Sequence, residues 1–200
     1  MHMLPVRCLL VGMLLSLAVA GCATESRSPA PKAASPTPAR EYRLVDDLCD
    51  RLDPAGLTTL TGIPTAETKY LPVRSAEDRH RRCWLSTADK EKAWVYTVQV
   101  DIRLDDAANG PDQELTPRGP ERAVKDLGDH AVIHIAETLA MDNPVREGQQ
   151  VQSQTGTLMV VQGPVRFHVR WTGGGTALAV ADVEALLLGY ARQTLELVGG

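Results

Sequence analysis

Aromatic residues are scarce: three tryptophans, four tyrosines and one phenylalanine in 200 residues. Most sit at positions that read as apolar faces, which leaves few for the exposed stacking platforms of sugar-binding modules. An excess of one charge is also missing. The chain has 21 basic and 25 acidic residues, a formal net charge of −4. With no basic stripe interleaved with aromatics, nucleic acid is not an expected partner. No long hydrophobic run is present at the N-terminus, where Cys8 to Ala20 gives 13 apolar or small residues. A bilayer core takes about 20. Catalytic punctuation is absent as well, since no serine sits in a G-x-S-x-G elbow and no P-loop lysine follows a glycine run. Neither an internal repeat nor a strand–helix alternation of the nucleotide-binding kind recurs.

What is there begins with residues 1–21. Arg7 precedes the short apolar run, and Val19-Ala20-Gly21 leads directly into Cys22. A charged start, a short apolar core and small residues at its end are the marks of a secretory signal. Small residues followed at once by cysteine resemble the lipobox of bacterial lipoproteins. The resemblance implies that Cys22 receives a diacylglycerol and becomes the first residue of the mature chain. Ala18-Val19-Ala20 also fits cleavage by ordinary signal peptidase, which would release a soluble protein instead. Residues 23–40 hold four prolines, five alanines, three serines and two threonines, with no aromatic or large aliphatic residue. Such a stretch cannot bury enough apolar area to offset its ordering entropy, so a disordered tether over 22–40 is expected. At ~3.1 Å per residue it would reach up to ~55 Å from the membrane.

The rest, 41–200, suits one domain with a real core. Arg7 leaves with the signal, so 20 basic residues face 25 acidic ones and the mature chain carries −5. Cys8 leaves too, and with Cys22 assigned to lipid, Cys49 and Cys83 remain. Outside the cytoplasm a disulfide is the expected state. Two free thiols or half of a metal site are the alternatives, although neither cysteine has the close second ligand that zinc wants.

Hydrophobic periodicity predicts the elements. Leu44, Val45, Leu48, Cys49 and Leu52 suggest a helix over 41–52, and Asp53-Pro54 opens a second that stops at Gly62. A short strand is expected at 83–87. Over 93–104, Trp94, Tyr96, Val98, Val100, Ile102 and Leu104 alternate with Thr97, Gln99, Asp101 and Arg103. Period-two alternation of this length means a strand with one buried and one wet face. The same logic over 165–172 points Val165, Phe167, Val169 and Trp171 inward, and Arg166, His168 and Arg170 outward. Residues 157–162 and Gly163-Pro164 complete a hairpin, and 131–137 is a weaker strand. Residues 105–122 and 138–150 read as loops. Val183, Leu186, Leu187, Tyr190, Ala191, Leu195 and Val198 mark a closing helix at 180–198. The expected architecture is α+β, an antiparallel sheet packed against N- and C-terminal helices as a two-layer sandwich.

Lipobox, Ser/Pro/Ala tether, Leu48-Cys49 ahead of Asp53-Pro54-Ala55, Trp84 beside Cys83, and Leu127-Gly128-Asp129 before a strand together resemble a family. They are similar to the secreted actinobacterial lipoproteins grouped as "domain of unknown function 3558", over most of 44–198. In that family the tryptophan stands two residues after the second cysteine, whereas here Leu85 takes that place. The resemblance implies an extracytoplasmic α+β domain and supplies no activity.

Several constellations invite chemistry. His130 and His134 have helical zinc spacing, yet they enter a strand pattern that would set them ~13 Å apart. Trp171-Thr172-Gly173-Gly174-Gly175-Thr176 offers amides to an anion, and reads better as a flexible strand-to-helix connector. Asp105, Asp106, Asn109, Asp112 and Glu114 are oxygen-rich but lack the ligand order of a calcium loop. Arg79, His80, Arg81 and Arg82 could join Arg166, His168 and Arg170 in an anion-contact patch. No catalytic residue, metal ligand or cofactor is assigned. The leading expectation is a non-enzymatic binding or interaction module, lipid-anchored through Cys22 on the outer face of the cytoplasmic membrane. Its candidate partners are anionic lipid, wall polymer or another envelope protein. A hydrolase acting on envelope components is the alternative, and a structural wall protein a third.

Overall fold

The computed structural model describes residues 41–70, 79–105, 117–143 and 146–199. Cys22 and the tether therefore lie outside the described residues, as do Asp106, Asn109, Asp112 and Glu114 of the acidic loop. Eight strands and three helices are present among the described residues. They are α1 (Leu48–Arg51), α2 (Ala55–Thr61), β1 (Glu67–Tyr70), β2 (His80–Asp89), β3 (Trp94–Leu104), β4 (Arg122–Ala123), β5 (His130–Ile135), β6 (Leu139–Asp142), β7 (Gln150–Gln162), β8 (Val165–Gly175) and α3 (Val180–Val198). Seven strands form one antiparallel sheet in the order β1-β2-β3-β8-β7-β5-β4, and β6 pairs with the start of β7. The α+β sandwich with one disulfide is the fold of this domain.

One face of the sheet is dry because alternate residues on β2, β3, β7 and β8 are apolar. Leu85, Val98, Val100, Leu158, Val160, Phe167, Val169 and Trp171 are all at most 1% exposed. Against them α3 lays Val183, Leu187, Tyr190, Ala191 and Val198, none more than 1% exposed. Full burial of one such side chain contributes about 1.5–3 kcal/mol. Tyr96 and Trp171 stack inside this layer with ring centroids 5.6 Å apart. Burial pushes the Tyr190 hydroxyl up to about 12, with the Leu57 backbone offsetting part of the effect, so it remains a neutral phenol.

Cys49 on α1 and Cys83 on β2 are bonded, with Cα atoms 5.2 Å apart and 34 positions apart in sequence. Closing a loop of that length contributes about 4 kcal/mol on the chain-entropy account. The bond also pins the small helices to the sheet.

The expected helix over 41–52 contracts to Leu48–Arg51. Residues 41–45 ahead of it are neither helix nor strand and 46–47 form a turn, and Arg43 donates its N–H to the Val198 carbonyl at the end of α3 (3.1 Å). The disulfide and this tie satisfy the segment better than an isolated, acid-rich turn could, because a short helix gains little from its own hydrogen bonds. Pro54 is the N-cap of α2, one residue later than expected, and Asp53 just ahead of it accepts a hydrogen bond from Ala55 N–H (2.9 Å). Gly62, at φ 68°, ends that helix.

Strands expected at 83–87 and 157–162 extend to 80–89 and 150–162, and β6 lies within the expected loop 138–150. Glycines 173–175 are not a flexible connector but the end of β8. Residue 175 must be small there: a Cβ would stand 2.8 Å from the Tyr96 ring and 2.9 Å from Trp94. The β7–β8 hairpin turns at Gly163-Pro164 as its sequence suggests. Gly163 takes φ 53° and donates its N–H to Asp129 (2.6 Å).

Candidate functional site

All three helices pack on the dry face, so the second face of the sheet carries the polar alternates. Its chemistry follows from register. On β8, Arg166, His168 and Arg170 stand opposite Arg103, Asp101 and Gln99 of β3. Asp101 and Arg103 in turn stand opposite Arg82 and His80 of β2. These strands thus gather His80, Arg82, Asp101, Arg103, Arg166, His168 and Arg170 around one depression of about 270 Å³. Sequence alternation had already placed Arg166, His168 and Arg170 together. It could not place Asp101 and Arg103 beside them, because β3 and β8 are neighbours across 60 residues of intervening chain.

Ion pairing inside the depression is uneven. Asp101 accepts from Arg82 Nε (2.6 Å) on one carboxylate oxygen and lies 2.5 Å from His80 Nε2 on the other. Burial alone would raise its carboxyl, but the hydrogen bonds from His80 and Arg82 prevail and hold it below its ordinary range. Arg166 is paired with Asp105 (Nε–Oδ2 2.5 Å). That leaves Arg103 and Arg170, both exposed, without a carboxylate partner among the described residues. Moreover, Arg103 and Arg166 stand directly opposite each other. Like charges in that position cost stability.

His168 sits between the two free guanidiniums in sequence register. Burial lowers its pKa, the charges of Arg170 and Arg103 lower it further, and Asp101 opposes them. It is therefore a neutral imidazole near neutral pH, poised to take a proton when a negative charge arrives.

A second depression, of about 330 Å³, adjoins the first and shares His168 and Arg170 with it. Its own walls are Glu121, Val132, His134, Thr157 and Met159. None was picked out from sequence as part of an anion site. His134 faces Thr157, and Val132 faces Met159, across the β5–β7 pairing. His130 lies two positions along β5 from Val132, not on a helix turn with His134. Among the described residues no cluster of three His, Cys, Asp or Glu side chains forms.

Of the basic run at 79–82, the structure splits the members by strand parity. His80 and Arg82 join the depression. Arg81 points the other way and pairs with Asp46. The His80–Asp101 pair has the look of a general-base dyad, but no hydroxyl or thiol among the described residues hydrogen-bonds that imidazole. The arrangement can neutralise and orient an anion.

Compared with known proteins, the chain matches no family model, no curated protein and no solved structure.

Proposed function

We propose that this chain is an envelope lipoprotein, anchored through Cys22 on the outer face of the cytoplasmic membrane. Its domain is a non-enzymatic module that binds anionic groups through the open face of the sheet. The observation that carries the binding is the pair of uncompensated guanidiniums, Arg103 and Arg170, beside a half-buried neutral His168. In a mature chain of net −5, a depression lined by four arginines and one carboxylate is a local inversion of sign. Such inversions attract anions over a Debye length. Placement at the membrane rests on the residues around Cys22, on the proline-rich tether, and on the resemblance to the "domain of unknown function 3558" lipoproteins. No described helix is long and apolar enough to cross a bilayer.

One flotation experiment tests both parts. Residues 39–200 form a compact unit that holds the whole sheet, the three helices and the disulfide. This unit floats with vesicles rich in anionic phospholipid, stays behind with zwitterionic vesicles, and is released by salt. Full chain extracted from cells floats with either vesicle at any salt concentration. No association of the domain even at low ionic strength overturns the binding reading. A full chain that salt washes free overturns the anchor.

A further inference from the structure

Charge changes along the open face from one strand pair to the next. Over β3 and β8 lie the free guanidiniums, with nothing apolar among the groups lining that depression. Over β7 and β5 the chemistry is different. Met159 and Val132 form an apolar floor, and Thr157, His134 and the Glu121 carboxylate stand around it. Glu121 spends one carboxylate oxygen on the Arg118 N–H (2.9 Å), which leaves the other as an acceptor. A surface built for polyanions would carry its positive charge across both depressions. Here the second sets the Glu121 carboxylate against the Arg170 it shares with the first, and offers donors, acceptors and an apolar floor instead.

We propose that the open face takes a phosphorylated polyol: the phosphate lies between Arg103 and Arg170, and the hydroxyl-bearing body lies on Met159 and Val132. This rests on the anion-binding reading above and narrows it to one ligand class. Thr157, His134 and Glu121 hydrogen-bond the hydroxyls, and the apolar floor takes the C–H face of the ring or chain. The register fixes the scale. Thr157 is opposite Arg170, and His134 is opposite Thr157, so phosphate and body are separated by two strand spacings, about 10 Å. One phosphorylated, sugar-sized group matches that reach. Its source is a lipid headgroup or a free ester, and the chemistry recognised is the same.

Calorimetric titration of the 39–200 domain with inorganic phosphate, glucose and glucose 6-phosphate, joined by flotation on phosphatidylglycerol vesicles, decides it. Glucose 6-phosphate binds about tenfold tighter than inorganic phosphate, the worth of one or two hydrogen bonds, and glucose alone does not bind. Thr157→Val removes that preference and leaves the affinity for inorganic phosphate within about twofold. Glu121→Gln gives the same loss through a solvent-facing side chain, should the Thr157 variant fold poorly. Arg103→Ser weakens both phosphate and ester. Flotation on phosphatidylglycerol that is sensitive to Thr157→Val, without binding of the free ester, supports the proposal and names the lipid headgroup as source. Equal affinity for phosphate and ester, with flotation indifferent to Thr157, overturns the proposal while the anion-binding reading stands. No binding of any probe overturns both.

Discussion

The two faces of this sheet are made by the same strands, yet they are organised by opposite rules. On β8 the residues Val165, Phe167, Val169 and Trp171 are all at most 1% exposed beneath α3. The alternating Arg166, His168 and Arg170 share the second face with Arg82, Asp101 and Arg103. One face is closed by shape and apolar area. The other keeps two arginines directly opposite each other and two without a carboxylate. Selection for stability alone would neutralise or remove such charges, since each is a local cost with no packing return. The difference teaches that the dry face makes the fold, and the uncompensated charge of the wet face is what the proposed anion-binding role rests on.

The largest expected effect breaks the comparison on its dry side. Phe167→Ala leaves a cavity where the ring was wholly buried and costs about 3–5 kcal/mol. The Tm should fall by about 10 °C or more. Substituting the next residue on the same strand, His168→Ala, stays within about 1 kcal/mol, as for a side chain outside the packed layer. Thermal unfolding of the pair followed by circular dichroism checks the contrast. Equal losses would mean that the wet face carries as much of the fold as the dry one.

A smaller effect sharpens the comparison through pH. The His168 imidazole is held below its ordinary 6.5 by burial and by Arg170 and Arg103. Above 6.5 it is neutral in both folded and unfolded chains, and contributes nothing to the slope. As pH falls below 6.5 the unfolded chain takes the proton first, so stability declines until the lower folded value is passed. His168→Gln should flatten the stability profile over that window. Asp101 acts in a separate range. Its carboxyl is held below its ordinary 3.8, so its stabilisation is present above 3.8 and is lost as pH falls further. Denaturant midpoints measured every half unit between about pH 2 and 8 separate the two.

Much of the fold was legible from the period-two alternation of 93–104 and 165–172 and from the helical period of 180–198, because burial on one side imposes those periods. The pairing of Cys49 with Cys83 was legible by elimination, given the extracytoplasmic setting that residues 1–22 lead one to expect. Short elements were not. β1 and β4 have four and two residues, too few for any period to register, and β6 is wholly exposed, so no burial pattern marks it. The helix over 41–52 failed because its apolar spacing is satisfied by a turn held down by the disulfide and by the end of α3. Of the candidate site, the β8 row was visible in sequence. Its partners Arg82, Asp101 and Arg103, and the Met159–Thr157–His134 floor beyond it, came only with strand order and register. Those are long-range facts that local patterning does not encode.

The most direct measurement of the central claim compares stability and affinity in one variant, Arg103→Ser with Arg170→Ser. Both side chains are exposed and neither has a carboxylate partner among the described residues. The account predicts a Tm unchanged or slightly raised, within about 0.5 kcal/mol of wild type, because only repulsion is removed. In the same protein the affinity for inorganic phosphate, read by calorimetry at low salt, falls by about tenfold or more. A Tm lowered by several degrees with phosphate affinity unaltered would contradict the account, and would make the wet face part of the fold's support, not a site.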